Sequence, residues 1–298
     1  VRLSDNPNSD EPEPEVLYTA IHHAREPNSL SEVIFYMWYL LENYDNSEEI
    51  KYLVDNTEMY FVPMINPDGY IYNQTTDPNG GGMWRKNRRL NSGGSYGVDL
   101  NRNYSYGWGT TGTSTNTSND TYCGTAPYSE PEVQAMRWLV QNHNFVTAFN
   151  AHTYANDILF PIGTTTNEFA VDHDYFDAFT HHMVQYNGYE NKKSSALYPA
   201  SGDSDDYMYK VDLVVKPKIF AMTPEVSNTN GGFWPAVNEI TGICQDMVFP
   251  NLILSHLTHR YLVVEDTDPG MIAATTGNFN HSAYRLGLEN GPVTVSIT

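Results

Sequence analysis

The chain has little cysteine, little positive charge and no long apolar run, and each shortage removes a class of protein. Only Cys123 and Cys244 occur in 298 residues, which excludes a disulfide scaffold and a CxxC metal knuckle and leaves room for one long-range bridge. Sixteen Lys and Arg stand against 36 Asp and Glu, a formal net charge of −20 with a pI near 4.7. A phosphate backbone is repelled on average by such a molecule, so nucleic acid is excluded as a partner, and most of the acid reads as solvated surface. No stretch reaches the roughly 18 uninterrupted apolar residues of a membrane-spanning helix, and the mean hydropathy is −0.49. Neither an initiator Met nor a signal peptide precedes Val1-Arg2-Leu3, which reads like the end of a strand already inside a domain, so a preceding segment is expected to have been removed. What is present, 40% hydrophobic and 13% aromatic residues, is enough to bury an enzyme-sized core.

Short β-branched or apolar runs alternate with helical stretches, the pattern of an α/β fold with a largely parallel or mixed sheet. Strands are expected at Val16–Ile21, Met59–Ile65, Phe145–His152, Ile158–Ile162 and Lys218–Val226. Ser29-Leu30-Ser31-Glu32 has capping-box spacing and precedes apolar residues at helical period, which predicts a helix after Pro27. Ser129-Glu130-Pro131-Glu132 offers a second start, and 168–186 and 236–259 read as two more helices. Residues 75–82 and 109–121 are polar and glycine-rich loops. After Tyr261 the texture changes to short β-like runs at Met271–Thr275 and Val293–Thr298, so residues 1–264 are expected to form the main domain and 265–298 a truncated β-rich region, the start of a β-sandwich.

Several patterns carry chemistry. Ile21-His22-His23-Ala24-Arg25-Glu26-Pro27 lies where a strand ends and a helix begins, and an imidazole and a carboxylate three residues apart at such a turn can reach one cation; either histidine could equally be a hydrogen-bonded core residue. His152, at the end of another hydrophobic strand, is a third candidate, and a short bidentate motif with a distant third ligand is the spacing of a catalytic zinc with an open position. The segments 83–89 and 97–103 carry five of the sixteen cations, a positive island that suits an anionic substrate group or a solvated loop paired with nearby acids. Two tempting patterns carry less. Gly107-Trp108-Gly109-Thr110-Thr111-Gly112 is a literal GxGxxG, but no strand precedes it. Gly202-Asp203-Ser204 sits beside Asp205-Asp206, which disfavours the negative intermediate of acyl transfer.

Seven motifs occur in the order found in zinc carboxypeptidases of the A/B type: His23-Ala24-Arg25-Glu26, Asn66-Pro67-Asp68-Gly69-Tyr70, Trp84-Arg85-Lys86, Asp99-Leu100-Asn101-Arg102-Asn103, His152-Thr153-Tyr154, Leu197-Tyr198-Pro199-Ala200-Ser201-Gly202 and Thr223-Pro224-Glu225. The chain resembles that family from Val1 to about Tyr261. The resemblance implies a mixed central sheet flanked by helices and a catalytic zinc held by His23, Glu26 and His152, with Asp99 supporting His23. It implies Glu225 as general base, Arg85 as the group that stabilises the oxyanion, and Asn101, Arg102 and Tyr198 as the clamp on a free C-terminal carboxylate. Asp205 falls where B-type enzymes place an acid at the floor of the side-chain pocket, so basic C-terminal residues are expected as preferred but not exclusive substrates, with Asp203 as an extra acid that reinforces or diverts that preference.

The resemblance also marks departures. Gly82 stands where the vertebrate enzymes carry a further substrate-contacting arginine, so ground-state binding is expected either to be weaker or to be shared with Arg88. The family's disulfide near the Cys123 position has no nearby partner. The implied partners are peptide or protein C-termini, and the implied location is secreted or periplasmic; no oligomeric state is implied. The alternatives are a zinc amide hydrolase, such as a deacylase or cell-wall-peptide hydrolase, and an inactive binding protein on the same scaffold.

Overall fold

The computed structural model describes residues 1–228, 230–266 and 280–294. The chain enters by a two-residue strand, β1 (Arg2–Leu3), and continues through β2 (Glu15–Ala20), α1 (Pro27–Asn43), α2 (Glu48–Asp55), β3 (Glu58–Val62) and α3 (Pro67–Thr76). A long irregular region with one 3-10 turn at Leu100–Arg102 leads to α4 (Pro131–Gln141), β4 (Phe145–Ala151), β5 (Asp157–Phe160) and α5 (His173–Met183). Then come β6 (Glu190–Lys193), α6 (Ser194–Leu197), α7 (Ser204–Lys210), β7 (Phe220–Glu225), α8 (Val237–Asp246) and α9 (Val248–His256), and last β8 (Leu262–Asp266) and β9 (His281–Arg285). Seven strands form one sheet in the order β1-β3-β2-β4-β7-β5-β6. Its middle, β3-β2-β4-β7, is parallel, while β1 and β5 run antiparallel to β3 and β7. This is the mixed sheet flanked by helices expected from the sequence, with a separate two-stranded antiparallel ladder of β8 and β9.

All six residues of β2 are buried, as befits a parallel strand covered on both faces. Its alternation sorts them: Val16, Tyr18 and Ala20 join Val33, Tyr36 and Leu40 of α1 in the main core, while Leu17 meets Met136, Tyr207 and Ala221 in a second core on the other face. The ring of Tyr18 stacks on Phe61 at 4.9 Å.

Two strands end earlier than the apolar pattern suggests, β3 at Val62 and β5 at Phe160, because Pro63 and Pro161 cannot donate to a ladder. The helix expected over 168–186 covers only 173–183: the carbonyls of Thr166 and Glu168 are taken by the ammonium of Lys193. The helix expected over 236–259 breaks at Met247, since Pro250 lacks the N–H that would reach back to Asp246. Cys123 and Cys244 are free and buried, so the long-range bridge is not formed. Val263 and Leu286, on either strand of the C-terminal ladder or just beyond it, join the main core. The run at 271–275, and most of that at 293–298, lie outside the described residues. Among the described residues no helix is long and apolar enough to cross a membrane.

Candidate active site

The parallel strands β2, β4 and β7 release their chains at one edge of the sheet, where ligands of open α/β folds commonly bind. At the end of β2, Ile21 takes a φ of 56°, a left-handed value that a β-branched residue adopts only when its surroundings hold it. Ser29 supplies the hold: its Oγ accepts from the Ile21 N–H at 3.3 Å and donates to the Glu26 carbonyl at 2.7 Å. Ser29 therefore acts from inside α1, which starts at Pro27, and does not cap that helix. Asn66 Nδ2 donates to the carbonyls of His22 and Arg85, at 3.1 and 3.4 Å, and its Oδ1 caps α3. One side chain so ties the 22–26 turn to the loop that carries Arg85.

The turn brings His23 Nδ1 to 2.8 Å from Glu26 Oε1, and the end of β4 brings His152 Nδ1 to 2.8 Å from Glu26 Oε2 and 3.0 Å from His23 Nδ1. All three residues are buried, and their ligand atoms lie within 4.8 Å of one another. Ligands about 2.0–2.1 Å from a tetrahedral cation stand about 3.3 Å apart, so two ring nitrogens and a carboxylate at this spacing suit zinc. His23 Nε2 lies 3.1 Å from Asp99 Oδ1, which fixes the ring with its Nδ1 lone pair turned inward. Burial and the neighbouring imidazoles His152 and His23 push His22 well down; its Nε2 meets Tyr104 Oη at 2.9 Å, the bland role of a core histidine.

Asp99 serves a second group. Its Oδ2 accepts from Arg85 Nε at 3.0 Å and pairs with Nη2 at 2.8 Å, while Arg85 Nη1 stands 3.9 Å from Glu26 Oε1. Burial pushes the Asp99 and Glu26 carboxyls up, but the neighbouring guanidinium and imidazole groups outweigh it. Arg85, His23 and Arg102 hold Asp99 well below the usual range, and His23 and His152 hold Glu26 low. Glu225 lies beside His152 in a parallel bridge, with His152 N–H donating to the Pro224 carbonyl at 2.9 Å and Val226 N–H to the His152 carbonyl at 2.9 Å. Adjacent strands thus place a third ligand and a carboxylate at one level. Burial and the charge of Glu26 push Glu225 well up; a cation held between them would act the other way.

Two hollows meet at Glu225, Leu197 and Tyr198. One, of about 640 Å³, holds His23, Glu26, Arg85 and the aromatic mouth formed by Tyr154 and Phe233. The other, of about 410 Å³, is lined by Asn101, Arg102, Asp203, Asp205, Thr223 and Glu225, among others. Asn101 bridges the two sides: its Nδ2 is 3.2 Å from His152 Nε2, and its Oδ1 accepts from the Ser204 N–H at 2.9 Å. Arg102 donates to the Gly112 and Asn101 carbonyls and stands 5.9 Å from the Tyr198 ring, which is 51% exposed. Gly202, at a φ of +73°, turns the chain under Arg102, where a Cβ would fall 2.5 Å from the Arg102 carbonyl oxygen. Asp205 accepts from Asn150 Nδ2 and Thr223 Oγ1, both at 2.7 Å, and burial pushes it up to about 7. Asp203 Oδ1 caps α7, and its Oδ2 has no partner. Asp206 turns away to the Gly163 N–H and to Thr164. Burial raises both Asp203 and Asp206, helped by the charge of Asp205 at the first and of Asp203 at the second.

The positive island divides. Arg85 and Arg102 reach the cleft, but Lys86 donates to the Thr117 carbonyl and Arg89 pairs with Glu130. Arg88 lies among the rings of Tyr72, Trp84 and Tyr96, at 3.7, 4.5 and 4.5 Å, and does not line the cleft. The expectation that Arg88 shares a substrate contact is therefore corrected: three aromatic faces hold the guanidinium elsewhere. Nor has Gly82 simply lost an arginine, since a Cβ there would meet Asn73 Oδ1 at 2.7 Å. Sequence reading missed the roles of Arg25 and Phe233, whose guanidinium and ring lie 4.5 Å apart at the cleft mouth. Arg25 was at least inside a motif; Phe233 sits in a loop with no periodic signal.

A family model described as zinc carboxypeptidase matches residues 1–249. The chain is 34% identical over 248 residues to a zinc carboxypeptidase of Saccharothrix mutabilis subsp. capreolus, covering 79% of this chain and 55% of that protein. It is 31% identical over 251 residues to carboxypeptidase O of Bos taurus, covering 80% and 64%. Among solved structures, thrombin activatable fibrinolysis inhibitor is similar with a TM-score of 0.77 at 26% identity, over 85% of this chain and 64% of that one. The chain thus spans 55 to 64% of the length of these curated relatives.

Proposed function

The chain belongs to the zinc carboxypeptidase family, and on that premise we propose that it removes the C-terminal residue of peptides, with a preference for Lys and Arg. The observation that carries this reading is a single pocket lined by both a guanidinium and two acids, Arg102 with half-buried Asp203 and buried Asp205, opening onto Glu225. That pairing suits a residue bearing a carboxylate and a cationic side chain, which an internal residue of a peptide does not offer.

His23, Glu26 and His152 would hold the zinc, which when bound would supply Lewis acidity at the scissile carbonyl. Glu225, at the strand end beside His152, takes the proton of the attacking water and passes it to the leaving amine. Arg85, locked by Asp99, faces the oxygen on which charge develops, where a fixed donor contributes most. Arg102, Asn101 and Tyr198 receive the terminal carboxylate. Within the acid pocket the direct partner of a substrate cation is Asp203, whose Oδ2 is unmet, while Asp205, with both oxygens already hydrogen-bonded, adds negative charge behind it.

The test compares one peptide ending in arginine as free acid and as amide. Zinc-loaded protein should release arginine from the acid and lose that activity with a chelator, and the amide should be slower by about 100-fold, since one bidentate charge contact is lost. Equal rates on acid and amide would remove the exopeptidase reading.

A further inference from the structure

Thirty-six acids face sixteen cations in this chain, and every Lys and Arg but one pairs with a carboxylate or donates to a backbone carbonyl. The exception is Arg88. Among the described residues it has no hydrogen bond and no ion pair, and its nitrogens reach solvent. Aromatic carbon holds it instead: its guanidinium lies over Tyr72 of α3 and against Trp84 and Tyr96, at 3.7, 4.5 and 4.5 Å from the ring centroids. These walls are fixed. The Asn73 carboxamide holds the N–H and the C=O of Trp84 at 2.9 and 2.8 Å, and Trp84 Nε1 donates to the Asn87 carbonyl at 3.1 Å. Met83, next to Trp84 in the chain, and Leu90, opposite Tyr96 in an antiparallel bridge, are both exposed. Rings that fix the plane of a guanidinium reduce the freedom lost when an oxyanion takes its fork. Arg, Trp and Tyr, with Met beside them, are also the residue types concentrated where protein partners bind.

We infer that the aromatic box around Arg88 is a docking point for a protein partner, taking an Asp or Glu side chain on the guanidinium fork and an apolar neighbour of that residue against Tyr96 and Leu90. Charge complementarity names the occupant, because the one unpaired cation of an acidic molecule is met by a carboxylate, and the exposed apolar side chains around it favour a carboxylate carried on a peptide. The net charge of −20 opposes such a partner at long range, but that field is screened beyond about 8 Å at physiological salt, and the local cation decides the contact. Arg88 does not line the cleft, so the dock stands apart from the reaction.

The experiment titrates zinc-loaded protein calorimetrically with a panel of short peptides, acetylated and amidated so that no terminal carboxylate enters the cleft. Each carries one Asp or Glu among apolar residues and has an Asn or Gln twin. The acidic peptides should bind about tenfold more tightly than their twins, with an advantage that shrinks as salt rises. Arg88→Gln should erase that advantage, and Arg88→Lys should keep only part of it, since an ammonium has no fork. Leu90→Glu changes an exposed side chain and sets a competing carboxylate beside Tyr96, so it should erase the advantage too and decides if Arg88→Gln fails to fold. Arginine release should stay within about twofold of the unaltered protein in all three, as a site outside the cleft requires. Equal binding of acidic peptides and twins, or an advantage that survives Leu90→Glu, would overturn the dock. So would displacement of the peptides by equimolar acetate or phosphate, the mark of a site for small anions only, or a dimer in sedimentation that Leu90→Glu dissociates, which would make a second copy the occupant.

Discussion

Two pairs of acids stand at the cleft, Glu26 with Asp99 behind it and half-buried Asp203 with buried Asp205, and they fall on opposite sides of the usual carboxylate range. Glu26 and Asp99 each face cationic or metal-ligating groups and are held low. Asp203 and Asp205 receive only neutral donors, an amide N–H, a carboxamide and a hydroxyl, and are raised. Burial penalises all four; the partner decides the sign. The first pair is complete within the chain and organises it. In the second, the Arg102 guanidinium offsets only part of the rise at Asp203, and a proton or a substrate cation can supply the rest.

Glu225 belongs to neither pair, and it offers the strongest way to separate function from architecture. Replacing it by glutamine should keep zinc bound, by metal analysis, and lower turnover by about 10²- to 10⁴-fold, the share of a positioned proton carrier. Asp99→Asn attacks the complete pair. It leaves Arg85 and the far nitrogen of His23 without their anion, so zinc affinity measured by chelator competition should fall by about 10- to 100-fold; unchanged affinity would show that Asp99 organises nothing.

Glu32 sharpens the comparison from outside the cleft. It is buried between α1 and α9 with the amide of Asn251 as partner, and burial pushes it up to about 7 from an ordinary value of 4.5. Between those values the folded chain keeps a proton that the unfolded chain has released, so stability falls as pH rises through the window and the loss is complete above it. Glu32→Gln should therefore be more stable than the parent by about 2 kcal/mol in denaturant melts at pH 8, with the difference gone near pH 4. Equal differences at both pH values would contradict the account of uncompensated burial.

The parts of this molecule that were legible in its sequence are those where chemistry and local pattern coincide. His23 and Glu26 share a turn at a strand end, and His152 and Glu225 each close an apolar run, so spacing along the chain foretold spacing at the sheet edge. Prolines were readable in hindsight: Pro63, Pro161 and Pro250 each trim an element that apolar pattern alone extends. Partners from distant loops were not legible. Nothing near Asp205 announces that Asn150 and Thr223 satisfy both its oxygens, nor that Asp203 keeps one free. Arg88 belongs to the right cluster of charge, but Tyr72, Trp84 and Tyr96 capture it, and aromatic faces gathered from three segments leave no periodic trace. Trp234 and Phe233 sit in an irregular loop whose course is set by what it packs on.

The measurement that bears most directly on the contrast between the two pairs is the ratio of kcat/KM for peptides ending in arginine and in phenylalanine, followed from pH 5 to pH 8. Forming a ratio cancels every ionisation shared by the two reactions, Glu225 and the metal ligands included, and leaves the acid pocket of the free enzyme. Asp205, pushed up to about 7 by burial, and the raised Asp203 are protonated at the acidic end and ionised at the alkaline end. The arginine preference should therefore rise with pH, by about tenfold across the range, and Asp203→Asn should flatten the rise. A ratio that is constant with pH, or one that favours phenylalanine throughout, would show that these acids are not waiting for a cation.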